Sequence, residues 1–162
     1  MPQIDDDERT NSMGLFNTAE AYRVAAETLH EHNVGSGHAE KPVRFLYCHA
    51  LELYLKALLR QHHNVGTITK NFRHNMRRLL KAAEAFGLIV SDEDRNLLIF
   101  IEDTDAALET RYIKTGSKTW PTLDGLRTSV ALRLIGGKRR FPVCTAAAGR
   151  MLSAGGAHSL FR

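Results

Sequence analysis

Apolar side chains recur along most of this 162-residue chain at the spacing of an α-helix, and no convincing strand alternation interrupts them. The pattern predicts a first helix over about 15–31, followed by a loop over 33–37 that contains two glycines and an asparagine. Four further helices are predicted over about 42–61, 74–86, 91–109 and 122–135. The fold class predicted from this pattern is all-α.

The helix over 42–61 is predicted to be the centre of a bundle. Pro42 stands at its start, where the N–H that proline lacks would have no helical partner. Apolar residues cover nearly all of its sides, which is typical of a helix surrounded by other helices. Its one polar strip includes His49, and Glu52 and Lys56 have the favourable order for an i,i+4 ion pair.

The chain divides into three predicted parts: an acidic, flexible arm over 1–14, the bundle over 15–136, and a basic, weakly ordered tail over 137–162. No apolar run is long enough for a membrane-spanning helix, and the first residues do not have the pattern of a secretory signal. Cys48 and Cys144 have neither metal-ligand nor disulfide spacing. These features predict a cytoplasmic protein without a membrane partner.

Four short motifs follow one another between 19 and 112. They are Ala-x-x-Tyr-x-x-Ala-Ala from Ala19 to Ala26, then His49-Ala50-Leu51-Glu52-x-x-Leu55-Lys56-Ala57-Leu58-Leu59, then His74-Asn75-Met76 with Leu79-Leu80, and Glu109-Thr110-Arg111-Tyr112. In this order they resemble the HEPN (higher eukaryotes and prokaryotes nucleotide-binding) family of helical domains.

The resemblance implies an up-and-down bundle of four to five helices that frequently forms a homodimer. It implies RNA or a nucleotide as the ligand and no cofactor. Members of the family range from metal-independent RNA-cleaving toxins to inactive partners of nucleotidyltransferases, so a nucleotidyltransferase or an antitoxin is an expected protein partner. Because one fold serves all these roles, the fold alone does not decide the function.

The ribonucleases of the family carry an Arg-x4–6-His motif, in which both side chains assist attack by the ribose 2′-hydroxyl. Two segments match, Arg44 with His49 and Arg23 with His30, and chance predicts about as many from composition. Arg44 and His49 are the predicted catalytic pair, although about 140° of helix rotation separates them within one chain. The alternative is that Arg44 lies on the surface and His49 is a hydrogen-bonded histidine at the core margin.

Arg111 and Tyr112 match the Arg-Tyr motif that often follows the fourth helix of the family. A guanidinium at this position could bind phosphate through two hydrogen bonds, and a tyrosine could stack on a base. The alternative is that Tyr112 closes one end of the bundle while Arg111 caps helix carbonyls or pairs with Glu109. Both residues are predicted contacts for RNA or a nucleotide.

Basic residues concentrate around the start of the third predicted helix, in a chain whose formal net charge is +4. We name as the basic strip the residues Lys70, Arg73, His74, Arg77, Arg78 and Lys81. Arg73, Arg77 and Lys81 have i, i+4, i+8 spacing, and the segment holds no compensating acid. Such a line can follow a phosphate backbone. The alternative is the solvated face of an amphipathic helix.

Glu102, Asp105 and Glu109 are predicted to form an acidic strip on one face of the fourth helix. A divalent-cation site would need a second acidic pair on a neighbouring helix, so no metal site is predicted. The strip could instead dock against the basic strip of a second subunit. His62 and His63 would point about 100° apart on a helix, so joint chelation by the two is not predicted either.

Three functions remain open from the sequence. The leading hypothesis is a HEPN-like module that binds RNA or a nucleotide without strong catalysis of its own, through the basic strip with Arg111 and Tyr112. The second is a metal-independent dimeric ribonuclease of toxin type that uses Arg44 and His49 or another pair. The third is a helical module for protein interaction or dimerisation.

Overall fold

The structure is a computed structural model that describes residues 10–32, 40–106 and 119–131. This part of the chain forms six helices and no strand, which confirms the all-α prediction. The helices are α1 (Ser12–Glu31), α2 (Glu40–Leu59), α3 (Val65–Phe72), α4 (Met76–Ala85), α5 (Asp92–Asp103) and α6 (Leu123–Ala131). Over these residues, no helix is both long and apolar enough to cross a bilayer.

Helix α2 lies at the centre of the bundle, as its apolar pattern predicts. It packs against α1, α4 and α6, while α5 packs against α4 and α6, and α3 packs against α4. Its large side chains, among them Tyr47, Leu51, Leu55 and Leu58, are buried. Burial of one such aliphatic side chain stabilises the fold by about 1.5–3 kcal/mol, so α2 provides much of the hydrophobic stabilisation.

Helix α1 begins at Ser12, before the predicted start at 15. The Asn11 side chain accepts a hydrogen bond of 2.7 Å from the Gly14 amide and caps the first turn. The Ser12 hydroxyl donates to the Ala57 carbonyl at 2.7 Å, so the start of α1 is held against the end of α2.

The apolar pattern did not predict α3. This helix contains Val65, Thr67 and Ile68, β-branched residues of low helix propensity. It forms because the Asn64 side chain accepts a hydrogen bond from the Thr67 amide, at 2.7 Å, and because Ile68 is buried in the core. A cap and one anchoring contact here outweigh intrinsic propensity.

Helix α4 begins at Met76 rather than at the predicted 74. Arg73 ends α3 with φ 47°, in the left-handed region, so the chain turns before it can enter another helix. Asn75 is the N-cap of α4, and its side chain accepts a hydrogen bond of 2.8 Å from the Arg78 amide.

Helix α5 has the predicted serine cap, since Ser91 accepts a hydrogen bond of 3.1 Å from the Asp94 amide. It ends at Asp103, earlier than predicted, and Asp105 has φ 49°. Helix α6 begins one residue after the predicted start. The predicted segments 107–109 and 132–135, the tail over 137–162 and residues 1–9 of the predicted arm lie outside the described residues.

Candidate nucleic-acid interface

All six residues of the basic strip are exposed in the structure. Lys70 lies in the last turn of α3, Arg73 and His74 lie on the turn between α3 and α4, and the remaining three belong to α4. The opposite side of α4 packs into the core through Met76, Leu79, Leu80 and Ala83. Because these apolar residues have helical spacing, Arg77, Arg78 and Lys81 are directed away from the core.

The predicted single helical line of Arg73, Arg77 and Lys81 is wrong in one respect. Arg77 and Lys81 share a face of α4, but Arg73 precedes the helix and has a positive φ. The strip is therefore a short helix face together with the turn that leads into it.

The expectation that the strip has no compensating acid is wrong for two of its members. An Arg77 Nη atom lies 2.5 Å from an Asp103 carboxylate oxygen, and both side chains are exposed. His74 Nδ1 lies 2.9 Å from a Glu52 carboxylate oxygen. Lys70, Arg73, Arg78 and Lys81 form no salt bridge with any residue that the structure describes.

Glu52 holds His74 in place from the interior of the bundle. The glutamate is only 2% exposed, and it also accepts a hydrogen bond of 2.5 Å from Lys56 Nζ, which confirms the predicted i,i+4 pair. A buried carboxylate is costly unless such partners compensate its lost hydration. Because Nδ1 of His74 faces Glu52, the rest of the half-exposed ring is available at the edge of the strip.

The predicted acidic strip does not form as predicted, because α5 ends before Asp105. Glu102 accepts hydrogen bonds from the Asn75 side chain at 2.6 Å and from the Met76 amide at 2.7 Å. It therefore caps the N-terminus of α4, where a negative charge is favourable. Glu109 lies outside the described residues, within which no group of three His, Cys, Asp or Glu side chains is placed to hold a metal ion.

Arg44 and His49, the predicted catalytic pair, have different neighbours. The Arg44 guanidinium donates hydrogen bonds to the Pro121 carbonyl, at the approach to α6, and to Glu40 at 2.5 Å. The half-buried His49 ring packs edge-on against Tyr22, with centroids 4.5 Å apart, and stacks on Phe45. Arg44 therefore joins α2 to the segment before α6, and His49 packs between α2 and α1.

Arg23, in the second Arg-x-His match, lies between two acids of its own helix. Its guanidinium is 2.7 Å from Glu27 and 3.0 Å from Glu20. Burial lowers the pKa of Arg23, but the hydrogen bonds to these two carboxylates outweigh burial and raise it. Tyr54 of α2 donates a hydrogen bond to Glu20, so this charged group links α1 to α2.

An aromatic cluster lies beside the basic strip, and the sequence analysed alone did not reveal it. The His62 ring stacks in parallel on Phe86, with centroids 4.0 Å apart and an interplanar angle of 5°. The His63 ring packs edge-on against Phe86 at 5.4 Å and tilted against Phe72 at 6.2 Å. Both histidines follow the end of α2 at Leu59. The sequence does give a sign of this cluster, because Phe72 and Phe86 stand on either side of the basic segment.

A groove of about 870 Å³ lies between α5 and α6. Its lining combines Leu97 and Phe100 with the acids Glu93, Asp94 and Asp124. Asp94 is buried and accepts hydrogen bonds from two serine hydroxyls. The three acids do not favour a phosphate ligand, so the basic strip is the better candidate for an anionic partner.

Arg111 and Tyr112, the other predicted contacts, lie outside the described residues. No family model, curated protein or solved structure matches the chain. The resemblance to the HEPN family therefore depends on the sequence motifs and stays a prediction.

Proposed function

We propose that this chain binds RNA through the basic strip. The observation that carries the proposal is the set of four exposed cations, Lys70, Arg73, Arg78 and Lys81, that form no salt bridge with the described residues. A cation already paired with a carboxylate must give up that pair to bind a phosphate, whereas these four need only release water and counterions. The arginines can also bind a phosphate through two hydrogen bonds.

The geometry of α4 supports this proposal. Its apolar side is held in the core, and Glu102 and Asn75 cap its first turn, so the cationic side is presented on a rigid element. Arg77 can also contribute to phosphate binding. Its exposed salt bridge with Asp103 stabilises the fold by only about 0–1 kcal/mol, so Arg77 can exchange that carboxylate for a phosphate. A free nucleotide carries the same phosphate chemistry and is the smaller alternative ligand.

Catalysis is not part of the proposal. The metal-independent ribonuclease stays a prediction, and the contacts of Arg44 with the Pro121 carbonyl and Glu40 favour a structural role for this arginine. The contribution of Arg111 and Tyr112, a homodimer, and a nucleotidyltransferase or antitoxin partner likewise stay predictions.

The test is the salt dependence of RNA binding. Fluorescence anisotropy with a labelled single-stranded RNA should give an affinity that falls steeply as salt rises. In the double variant Arg78→Gln/Lys81→Gln, the slope of log K against log salt should be smaller by about 1.4, because each contact with a single strand contributes about 0.7.

The matched control is Lys41→Gln/Arg127→Gln, which makes the same change in net charge elsewhere. Lys41 precedes Glu52, the residue of α2 that pairs with His74 of the strip, by eleven positions, a rise of about 16 Å. This control should keep the wild-type slope. Equal losses of RNA affinity in both double variants would indicate a general effect of net charge. An RNA affinity that is independent of salt would contradict the proposal.

A further inference from the structure

The His62 ring stacks on Phe86 with one face, and no other aromatic ring of the described residues packs against it. Phe86 covers one side of the His62 ring, yet His62 is exposed as a residue. Because Phe86 covers one face, any exposed ring area lies on the other face or on the ring edge. Within the described residues, no second ring packs on that outer face.

The His62 ring also lies flat on its neighbour before any ligand is bound. Its interplanar angle with Phe86 is 5°, and the His63 ring packs edge-on against Phe86. An aromatic side chain fixed before binding loses little conformational entropy when a ligand stacks on it. The pair is therefore a preformed flat surface.

The same pair adjoins the basic strip. Phe72 directly precedes Arg73, and Phe86 directly follows α4, so the aromatic cluster brackets the segment that carries the strip. The His63 ring contacts both phenylalanines. Lys81 lies five residues before Phe86, about 7.5 Å along the axis and about 140° around it in helical geometry. The strip and the aromatic cluster are therefore neighbours along α4, and a flexible single strand can follow the surface from one to the other.

We propose that His62, stacked on Phe86, is a binding platform for an unpaired base of the RNA whose phosphates contact the basic strip. The inference rests on the proposed function and specifies its ligand as single-stranded RNA. In a duplex the faces of the bases are covered by their neighbours, whereas an unpaired base can place its face on an aromatic ring. Cations beside an aromatic platform are the combination that single-strand binding proteins use.

The alternative role of His62 is only to shield Phe86 from water. The variants His62→Leu and His62→Trp distinguish the two roles. Leucine still covers Phe86 but has no ring, so the platform predicts weaker binding for His62→Leu. Tryptophan has a larger ring, so the platform predicts affinity at least equal to that of the wild type for His62→Trp.

The experiment compares three labelled RNAs of about 12 nucleotides, a length within the range of single-strand sites. The first is an unstructured single strand, the second is the same strand with abasic positions, and the third is a duplex. At about pH 8, His62→Leu should weaken binding of the intact strand about five- to hundredfold. It should leave the abasic strand, the duplex and the salt slope as in the wild type. Gln61→Ala, an exposed neighbour, is the matched control and should change nothing.

The outcomes distinguish the platform from the proposed function. Steep salt dependence together with equal binding of the intact strand by wild type and His62→Leu would overturn the platform alone. Equal weakening of the intact and abasic strands would also overturn it, because the loss would not involve bases. If the wild type binds none of the three RNAs, the proposed function fails and the platform fails with it.

Discussion

Two arginine-bearing regions of this molecule differ in what surrounds their charges. On α1, Arg23 is 20% exposed and contacts two carboxylates, and one of these accepts the hydrogen bond of Tyr54 from α2. On the basic strip, Arg73 and Arg78 are exposed and form no salt bridge with the described residues. The first region joins two helices, and the second leaves its charge for a partner.

The comparison shows why charge in a sequence is ambiguous. Arg23 and Arg78 both lie on amphipathic helices, and both belong to patterns that suggest a function, the Arg-x-His spacing for Arg23 and the basic strip for Arg78. Their difference comes from neighbours: Glu20 and Glu27 lie one turn away from Arg23 on the same helix, whereas α4 has no acid at that spacing from Arg78. Four members of the basic strip are thus distinguished by the absence of a salt bridge with the described residues, rather than by their charge alone.

The largest expected effect is a loss of stability at alkaline pH. It comes from buried groups of α2, including Tyr54, which contacts the group around Arg23. Burial raises the pKa of the Cys48 thiol to about 12, and burial with the hydrogen bond to Glu20 raises the pKa of Tyr54. Above about pH 9 the unfolded chain loses the Cys48 proton while the folded chain keeps it, so stability falls as pH rises. We expect the free energy of unfolding to fall by about 2 kcal/mol between about pH 9 and 10.5, at about 1.4 kcal/mol per pH unit for each such group.

Urea unfolding at several pH values measures this loss. The control is Cys48→Ala, which lowers stability at every pH through the smaller side chain but should flatten the pH dependence. If the variant keeps the wild-type slope above about pH 9, the thiol is not the source of the effect.

The second prediction places the same substitution in each region. Arg23→Ala leaves Glu20 and Glu27 without their shared cation, so the free energy of unfolding should fall by about 1–2 kcal/mol while RNA affinity stays unchanged. Arg78→Ala should change the free energy of unfolding by no more than about 0.5 kcal/mol, because Arg78 is exposed and its side chain forms no salt bridge with the described residues. It should reduce the salt slope of RNA binding by about 0.7.

Urea unfolding and fluorescence anisotropy on both variants check this crossed pattern. The distinction between the two regions fails if Arg78→Ala destabilises the fold as much as Arg23→Ala does, or if Arg23→Ala weakens RNA binding.

The smallest expected effect concerns the backbone of the strip. Arg73 has φ 47°, a backbone conformation that costs a residue with a side chain about 1–2 kcal/mol and that glycine adopts without this cost. Glycine also loses more conformational entropy on folding, which offsets part of the gain. Arg73→Gly should therefore raise the free energy of unfolding by about 0.5 kcal/mol while it lowers RNA affinity. Thermal unfolding and anisotropy measure the two changes. Arg73→Ala, which removes the charge but keeps the strain, should lower affinity equally without any gain in stability, and equal stability of the two variants would count against strain at this position.

Several features of the fold could be predicted from sequence, and others could not. The central place of α2 and the Ser91 cap of α5 were predictable, because apolar periodicity and a capping residue act within one segment. Helix α3 was not predictable, because its β-branched residues have low helix propensity. Only in the folded chain do the Asn64 cap and the burial of Ile68 stabilise it. The residue at which α5 ends could not be predicted either, because acidic residues continue past Asp103 in the sequence.

The candidate site divides in the same way. The basic strip was predictable as a cluster of residues, since its members are neighbours in the chain. Its partners were not: Glu52 lies 22 residues from His74, and Asp103 lies 26 from Arg77. The stacking of His62 on Phe86 likewise joins residues on either side of two helices.

The sequence by itself determined that this protein is all-α, which helix is central, and where cationic residues concentrate. These properties follow from the local spacing of side chains. Only the tertiary structure decided which cations are neutralised, which acid caps α4, and which aromatic rings stack. Hydrogen bonds and ion pairs act over a few ångströms, so these properties depend on how segments far apart in the chain are brought together.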